Sequence, residues 1–223
     1  MADYAWWSEW RPDWAEAYCV TLVGDMTAED VVTSLGADSA GSVQGFDALS
    51  ERVVDGWAGD YDPAQAVLGV SDVDGGWALV VEVNGYVGVT ERLIGPMSAG
   101  RTIVSHFRNV NAVRRFNWWR DGRLLVDFDT MFPADRFGAE PDAIVDDIRG
   151  VGIPLDAETD EILGVDLNAA GFALAQRITG IACTQESFEH GDFHVAVAAM
   201  PSVEDQERYV RALHTAWHHP ITW

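Results

Sequence analysis

The sequence contains no lysine: all 14 of its basic residues are arginine, set against 36 aspartates and glutamates. Schiff-base catalysis, the phosphate-binding loop and the kinase active site each need an amine at a fixed position, so those reaction classes are excluded. Cysteine is scarce too. Cys19 and Cys183 lie too far apart for a metal spacing and are too few for a disulfide framework, which fits a reducing cytoplasm. No stretch approaches the roughly 18 consecutive apolar residues of a membrane span. The opening MADYAWWSEW has neither the basic nor the apolar region of a secretion signal, so a cytoplasmic protein without a membrane partner is expected. The G-x-S-x-G, G-x-G-x-x-G and C-x-x-C patterns are missing as well, and the sequence singles out no catalytic residue and no cofactor.

What is abundant is negative charge. A net charge of −22 and a pI near 4.3 repel nucleic-acid backbones and anionic lipids, so direct nucleic-acid binding is not expected. Three accounts of the acidity stand side by side. They are a surface solvated in high salt, mimicry of a polyanion at a partner's nucleic-acid site, and the Ala, Gly, Val, Asp and Arg bias of a GC-rich genome. With 48% hydrophobic residues and ten tryptophans, the chain can bury a sizeable core.

Periodicity gives a mixed architecture. Strands are read at Tyr18 to Val23, Ala66 to Val70, Trp77 to Val83, in RTIVSHF, AVRRFNWW and RLLVDFD, and at Phe193 to Ala198. Helices are read after a Thr27/Asp30 capping box, from Phe46 to Val54, briefly after Thr90, from Pro141 to Arg149, from Leu167 to Thr179, and after Ser202 with Asp205. The last helix is expected to bury Tyr209, Val210, Leu213 and Trp217. Strands joined by tight turns in the middle of the chain imply an α+β fold. It would hold a central antiparallel sheet of about six strands covered by helices, with a helical C-terminal third. A single domain over 1–223 is expected, and any subdivision would fall near 133–141.

Three residue groups could carry function. The first is an acid-free island from Arg101 to Arg120 that holds Arg108, Arg114, Arg115, Asn117 and Trp118, followed by an acid-rich segment. Guanidinium groups beside aromatic faces suit a small anionic ligand. The competing account is internal neutralisation. A two-residue turn at Asp121-Gly122 would set Arg114 opposite Asp129 and Phe116 opposite Asp127, with Arg115 and Asn117 on the face of Leu124, Val126 and Phe128. The second group is Trp6, Trp7, Trp10 and Trp14, a helical stripe that either packs on the core or anchors a protein partner. The third is His190, Asp192 and His194, which alternate as metal ligands on a strand could, though without a third-ligand signature. Asp72-Val-Asp74-Gly75-Gly76 is read as a turn rather than a calcium loop, because Val83 stands at the twelfth position.

The segments WAEAYCVTLV, GWALVVEVNGY, FRNVNAVRRF and ALAQRITGI, taken together, resemble an actinobacterial family of unknown function over most of residues 6–190. The resemblance implies a bacterial cytosolic protein and brings no catalytic residue with it. The leading expectation is a non-enzymatic interaction or regulatory domain that binds a protein partner through an acidic surface and exposed aromatics. The alternatives are a small-anion-binding protein or enzyme using the arginine island, and a nucleic-acid mimic.

Overall fold

The computed structural model describes residues 3–59, 62–155, 162 and 164–218. Eight strands form one antiparallel sheet, and helices cover both faces in an α+β arrangement. In chain order the strands are β1 (Tyr18–Gly24), β2 (Asp38–Gln44), β3 (Gln65–Val73), β4 (Trp77–Val83), β5 (Thr102–Arg108), β6 (Arg114–Arg120), β7 (Arg123–Phe128) and β8 (Asp192–Ala199). Across the sheet they run β2-β8-β3-β4-β1-β5-β6-β7. The wholly buried YCVTLVG of β1 therefore lies inside the sheet, between β4 and β5. The sheet has eight strands against the about six expected, and of these only β2 lies outside the segments read as strands. β2, with the sequence DSAGSVQ, has few apolar residues because it is an edge strand exposed along most of its length.

One face packs against α1 (Trp6–Trp10), α3 (Gly45–Ala58), α5 (Val145–Gly150), α6 (Leu167–Thr179) and α7 (Gln185–Glu189), burying Trp7, Phe46, Leu49, Ile148, Phe172 and Phe188. The other face packs against α2 (Ala28–Ser34), α4 (Glu91–Met97) and α8 (Val203–His218). Local chemistry sets several boundaries. Thr27 and Asp30 form a reciprocal capping box on α2, Asp166 accepts from Asn168 N–H and Ala169 N–H at the start of α6, and Gly180 ends that helix at φ 78°. Ser202 accepts the Asp205 N–H at the start of α8, whose Tyr209, Val210 and Leu213 are half-buried. The Trp217 side chain lies outside the described residues.

The path from β4 to β5 places the polar groups discussed below. These strands flank β1, so the connection must cross it, and it does so as a 3-10 turn at Val87–Val89 followed by α4. Gly88 at that crossing has no room for a side chain. An added Cβ would overlap Thr21 Oγ1 and stand 2.7 Å from Cys19 Sγ. The β6–β7 hairpin keeps the Asp-Gly turn, with Asp121 at φ 52° and Gly122 at φ 73°, but a bulge shifts its register after the turn. Arg120 pairs with Arg123 and Trp119 with Leu124, yet Trp118 pairs with Val126, Asn117 with Asp127 and Phe116 with Phe128. The extra residue, Leu125, corrects the register read from the turn: Asp127 moves onto the face of Arg115 and Asn117.

Candidate functional site

Strand length and pleat divide the arginine island. Arg101 and Arg120 lie at one end of the sheet, while Arg108, Arg114 and Arg115 lie at the other, where β5 ends and β6 begins. At that second end Arg108 and Arg114 are directly paired and share the face covered by α1 and α6, and Arg115 points to the opposite face.

Arg115 is spent on acids of its own chain. Its Nε and Nη2 reach the two carboxylate oxygens of Asp127 at 3.1 and 2.5 Å, its Nη2 also reaches Glu91 Oε1 at 2.5 Å, and its Nη1 donates to Val89 O at 3.2 Å. Asn117 Nδ2 donates to Asp127 Oδ2 at 2.7 Å, and Gln206 of α8 donates to the other oxygen of Glu91. Burial works against charge on Arg115, but Asp127 and Glu91 outweigh it and raise its pKa. Asp127 is pushed up by burial and pulled down by Arg115. The cluster is a tie between sheet, α4 and α8, continued across the sheet by the pair Thr21 and Ser105, whose hydroxyls are 3.0 Å apart. Beside it, Glu82 is 1% exposed and accepts Val87 N–H and Gly88 N–H at 2.8 and 2.9 Å; burial raises its pKa to about 7 despite those bonds.

On the other face Arg108 Nη1 donates to Ala15 O at 2.8 Å and Arg114 Nη1 to Asn168 Oδ1 at 2.5 Å. Nearby, the Tyr18 hydroxyl lies 3.2 Å from His106 Nδ1. The His106 ring is pressed against Gly171 of α6, and burial, then Arg114, lowers its pKa to about 3, so it is neutral. Trp118 shares this face but is 8% exposed, lies further along the strand, and carries the Arg120 guanidinium 4.9 Å above its ring. The five island residues expected to share a ligand therefore do not converge.

The tryptophan stripe faces inward. Trp7 is fully buried, with ring centroids 5.1 to 5.8 Å from those of Phe188, Tyr18, Phe172 and Phe46. It has no surface to offer a partner, because α3, α6 and α7 close over it. Trp6, Trp10 and Trp14 are half-buried against Phe188 and Phe46. His190, Asp192 and His194 are exposed and do not converge: Asp192 and His194 share a shallow cleft with Ser42 and Gln44, whereas His190 lines a separate cleft of about 630 Å³. Among the described residues no group of three His, Cys, Asp or Glu side chains could hold a metal ion.

Sequence reasoning missed an apolar surface at the end of the sheet that carries Arg114. Of the large hydrophobic side chains that are exposed, Tyr86 follows β4, Val110 and Val113 lie in the β5–β6 turn, and Phe132 and Phe137 follow β7. All these positions belong to one sheet end. Val113, Phe132 and Phe137 line a cleft of about 370 Å³ together with Asp129, Asp135 and Arg114. The loop holding the phenylalanines is built rather than loose: Phe132 N–H donates to Asp129 O, Met131 N–H to Asp129 Oδ1, and Phe137 forms a two-bond bridge with Asp127. No alternating or helical pattern marks such positions, and only the abrupt Met131-Phe132-Pro133 after a strand hinted at them.

A model of a family of unknown function, DUF6461, matches residues 1–202, and the chain belongs to that family. No curated protein and no solved structure matches the chain.

Proposed function

We propose that this family member is a non-enzymatic protein-binding or regulatory domain that meets its partner with the sheet end carrying Tyr86, Val110, Val113, Phe132 and Phe137. The observation that supports this most is the gathering of these exposed side chains on one sheet end. Three of them, Val113, Phe132 and Phe137, line one cleft, and exposed apolar side chains grouped in this way mark an interaction site more often than isolated ones do. The aromatics of this reading are Phe132, Phe137 and Tyr86 rather than the tryptophan stripe. The partner's chemistry follows from the cleft and the surface around it. Asp127, Asp129 and Asp135 outnumber Arg114 and Arg115 in the lining of the cleft that holds the two phenylalanines, and the chain carries a net charge of −22. The partner segment therefore presents an apolar side chain flanked by Arg or Lys, drawn in by charge and held by contact.

The lysine-free composition supports an actinobacterial source, and the two buried free thiols support a cytoplasmic location. The test is affinity capture from cells of the source organism with the natural chain and with Phe132→Ser/Val113→Ser, both exposed positions. A stoichiometric partner retained by the natural chain and lost by the variant supports the reading; retention by both removes the surface from it. Mimicry of a nucleic acid remains a distinct outcome. A partner whose capture ignores the double substitution and is lost steeply with salt would favour it.

A further inference from the structure

We propose that Arg108 and Arg114 together hold a small oxyanion, a carboxylate or a phosphate, at the mouth of the sheet between β5, β6 and the start of α6. The two residues are direct cross-strand neighbours. Their Cβ atoms therefore stand about 5 Å apart, where like charges repel. In a chain with so many acids, the expected remedy is a carboxylate in ion-pair contact; Asp129 and Asp166 act on Arg114 electrostatically, but among the described residues no carboxylate pairs directly with either guanidinium. Neither guanidinium takes part in an ion pair among the described residues, whereas Arg11, Arg115, Arg123, Arg136, Arg149 and Arg177 do; Arg52, Arg92, Arg101 and Arg120 lack one as well, but no two of those are cross-strand neighbours. What each has is one neutral acceptor: Ala15 O for Arg108, Asn168 Oδ1 for Arg114. The Nε–H of both is buried without a hydrogen-bond partner.

The nearest carboxylates are already engaged. Asp129 accepts the backbone N–H of Arg114 on one oxygen and that of Met131 on the other, and Asp166 Oδ1 accepts Asn168 N–H and Ala169 N–H. Ala15 O, which also accepts Asn168 Nδ2 at 3.2 Å, and Asn168 Oδ1 hold the two guanidiniums through Nη1 and leave the Nε–H of each unmatched. A planar or tetrahedral oxyanion there would relieve the repulsion and take up donors of both guanidiniums, a geometry that arginine serves better than any other side chain. Arg115 and Asn117 contribute nothing to this site, because they point to the opposite face. The inference concerns a small ligand and stands whether or not a protein docks on the apolar surface nearby.

The test is the melting temperature of the full chain in sodium phosphate, in sodium succinate and in sodium chloride at matched ionic strength. At ten times Kd, the bound anion raises Tm by about 3 to 6 °C over chloride. A rise with phosphate alone assigns a phosphoryl ligand, and a rise with succinate alone assigns a carboxylate. Arg108→Gln and Arg114→Gln each abolish the rise, while Arg101→Gln, at the other end of the sheet, keeps it. Because Arg114→Gln could weaken the fold, titration calorimetry of phosphate and of succinate into folded Arg108→Gln and the natural chain at 15 °C gives a second readout. Equal Tm in all three salts, or a rise that survives both substitutions, overturns the proposal.

Discussion

Replacing Arg115 with alanine is expected to destabilise the protein severely, and the reason can be counted in hydrogen bonds. The substitution takes both contacts from Asp127, one from Glu91 and one from Val89 O. Asp127 is 1% exposed and Glu91 5% exposed beneath the 28%-exposed Arg115 side chain, so water admitted by its removal replaces the charged partner only in part. Removing one member of a buried pair and stranding the other costs about 3 to 5 kcal/mol. For a chain of this size that is a fall in Tm of about 6 to 20 °C. Urea denaturation monitored by tryptophan fluorescence measures it directly. The mechanism is separated from simple loss of volume by a double-mutant cycle with Asp127→Asn, which removes the stranded charge but keeps the shape. The account predicts a favourable coupling between the two substitutions of about 1 to 3 kcal/mol. A loss below about 0.5 kcal/mol for Arg115→Ala would refute the reasoning, because such values are typical of surface positions. Strict additivity in the cycle would refute it as well.

Three further outcomes are expected. Glu82 holds its proton to about pH 7 in the folded protein, against an ordinary value of 4.5. Between those limits the unfolded chain releases a proton that the native state keeps, so Glu82 makes stability fall as pH rises, by on the order of 3 kcal/mol in all. Comparing urea midpoints from pH 5 to 8 should show that Glu82→Gln removes this downward component; an unchanged slope would contradict the burial argument. His106 acts with the opposite sign, because its pKa drops from 6.5 to about 3 and the unfolded chain takes up the proton first. Stability should therefore fall as pH drops below 6.5, most clearly below 4.5, where Glu82 no longer opposes it, and His106→Phe should blunt that acid limb. Gly88→Ala forces a methyl group into Thr21 and Cys19 under the crossover, costing about 1 to 3 kcal/mol, part of which Thr21→Ala should recover. A Gly88→Ala protein as stable as the natural one would mean that the crossover is not packed as described.

Legibility in the sequence followed the range of the forces involved. The Thr27/Asp30 cap, the span of α6 and the Asp-Gly turn depend on residues within a few positions of each other, and the sequence shows them. β2 was invisible because an exposed edge strand needs no apolar alternation; it is held by its ladder to β8. The β6–β7 register was legible at the turn and lost at the bulge. One unpaired residue, Leu125, carried Asp127 from the face of Phe116 to that of Arg115. The island's internal neutralisation was anticipated in kind, but it fell on Arg115 through Asp127 and Glu91, while Arg114 meets Asp129 through its backbone N–H. The tryptophan stripe showed its periodicity and not its direction, since an apolar helical face reads alike whether it meets a core or a partner. Phe132 and Phe137 became visible only when the fold brought their loop to the same sheet end as Tyr86, Val110 and Val113.

Hydrogen–deuterium exchange of the full chain, free and in its captured complex, bears most directly on the protein-binding reading. The account predicts protection in peptides covering residues 84–89, 109–113 and 129–137, with little change in the segments 71–74 and 180–191 that line the larger cleft. Protection confined to that larger cleft, or none at the apolar sheet end, would contradict it.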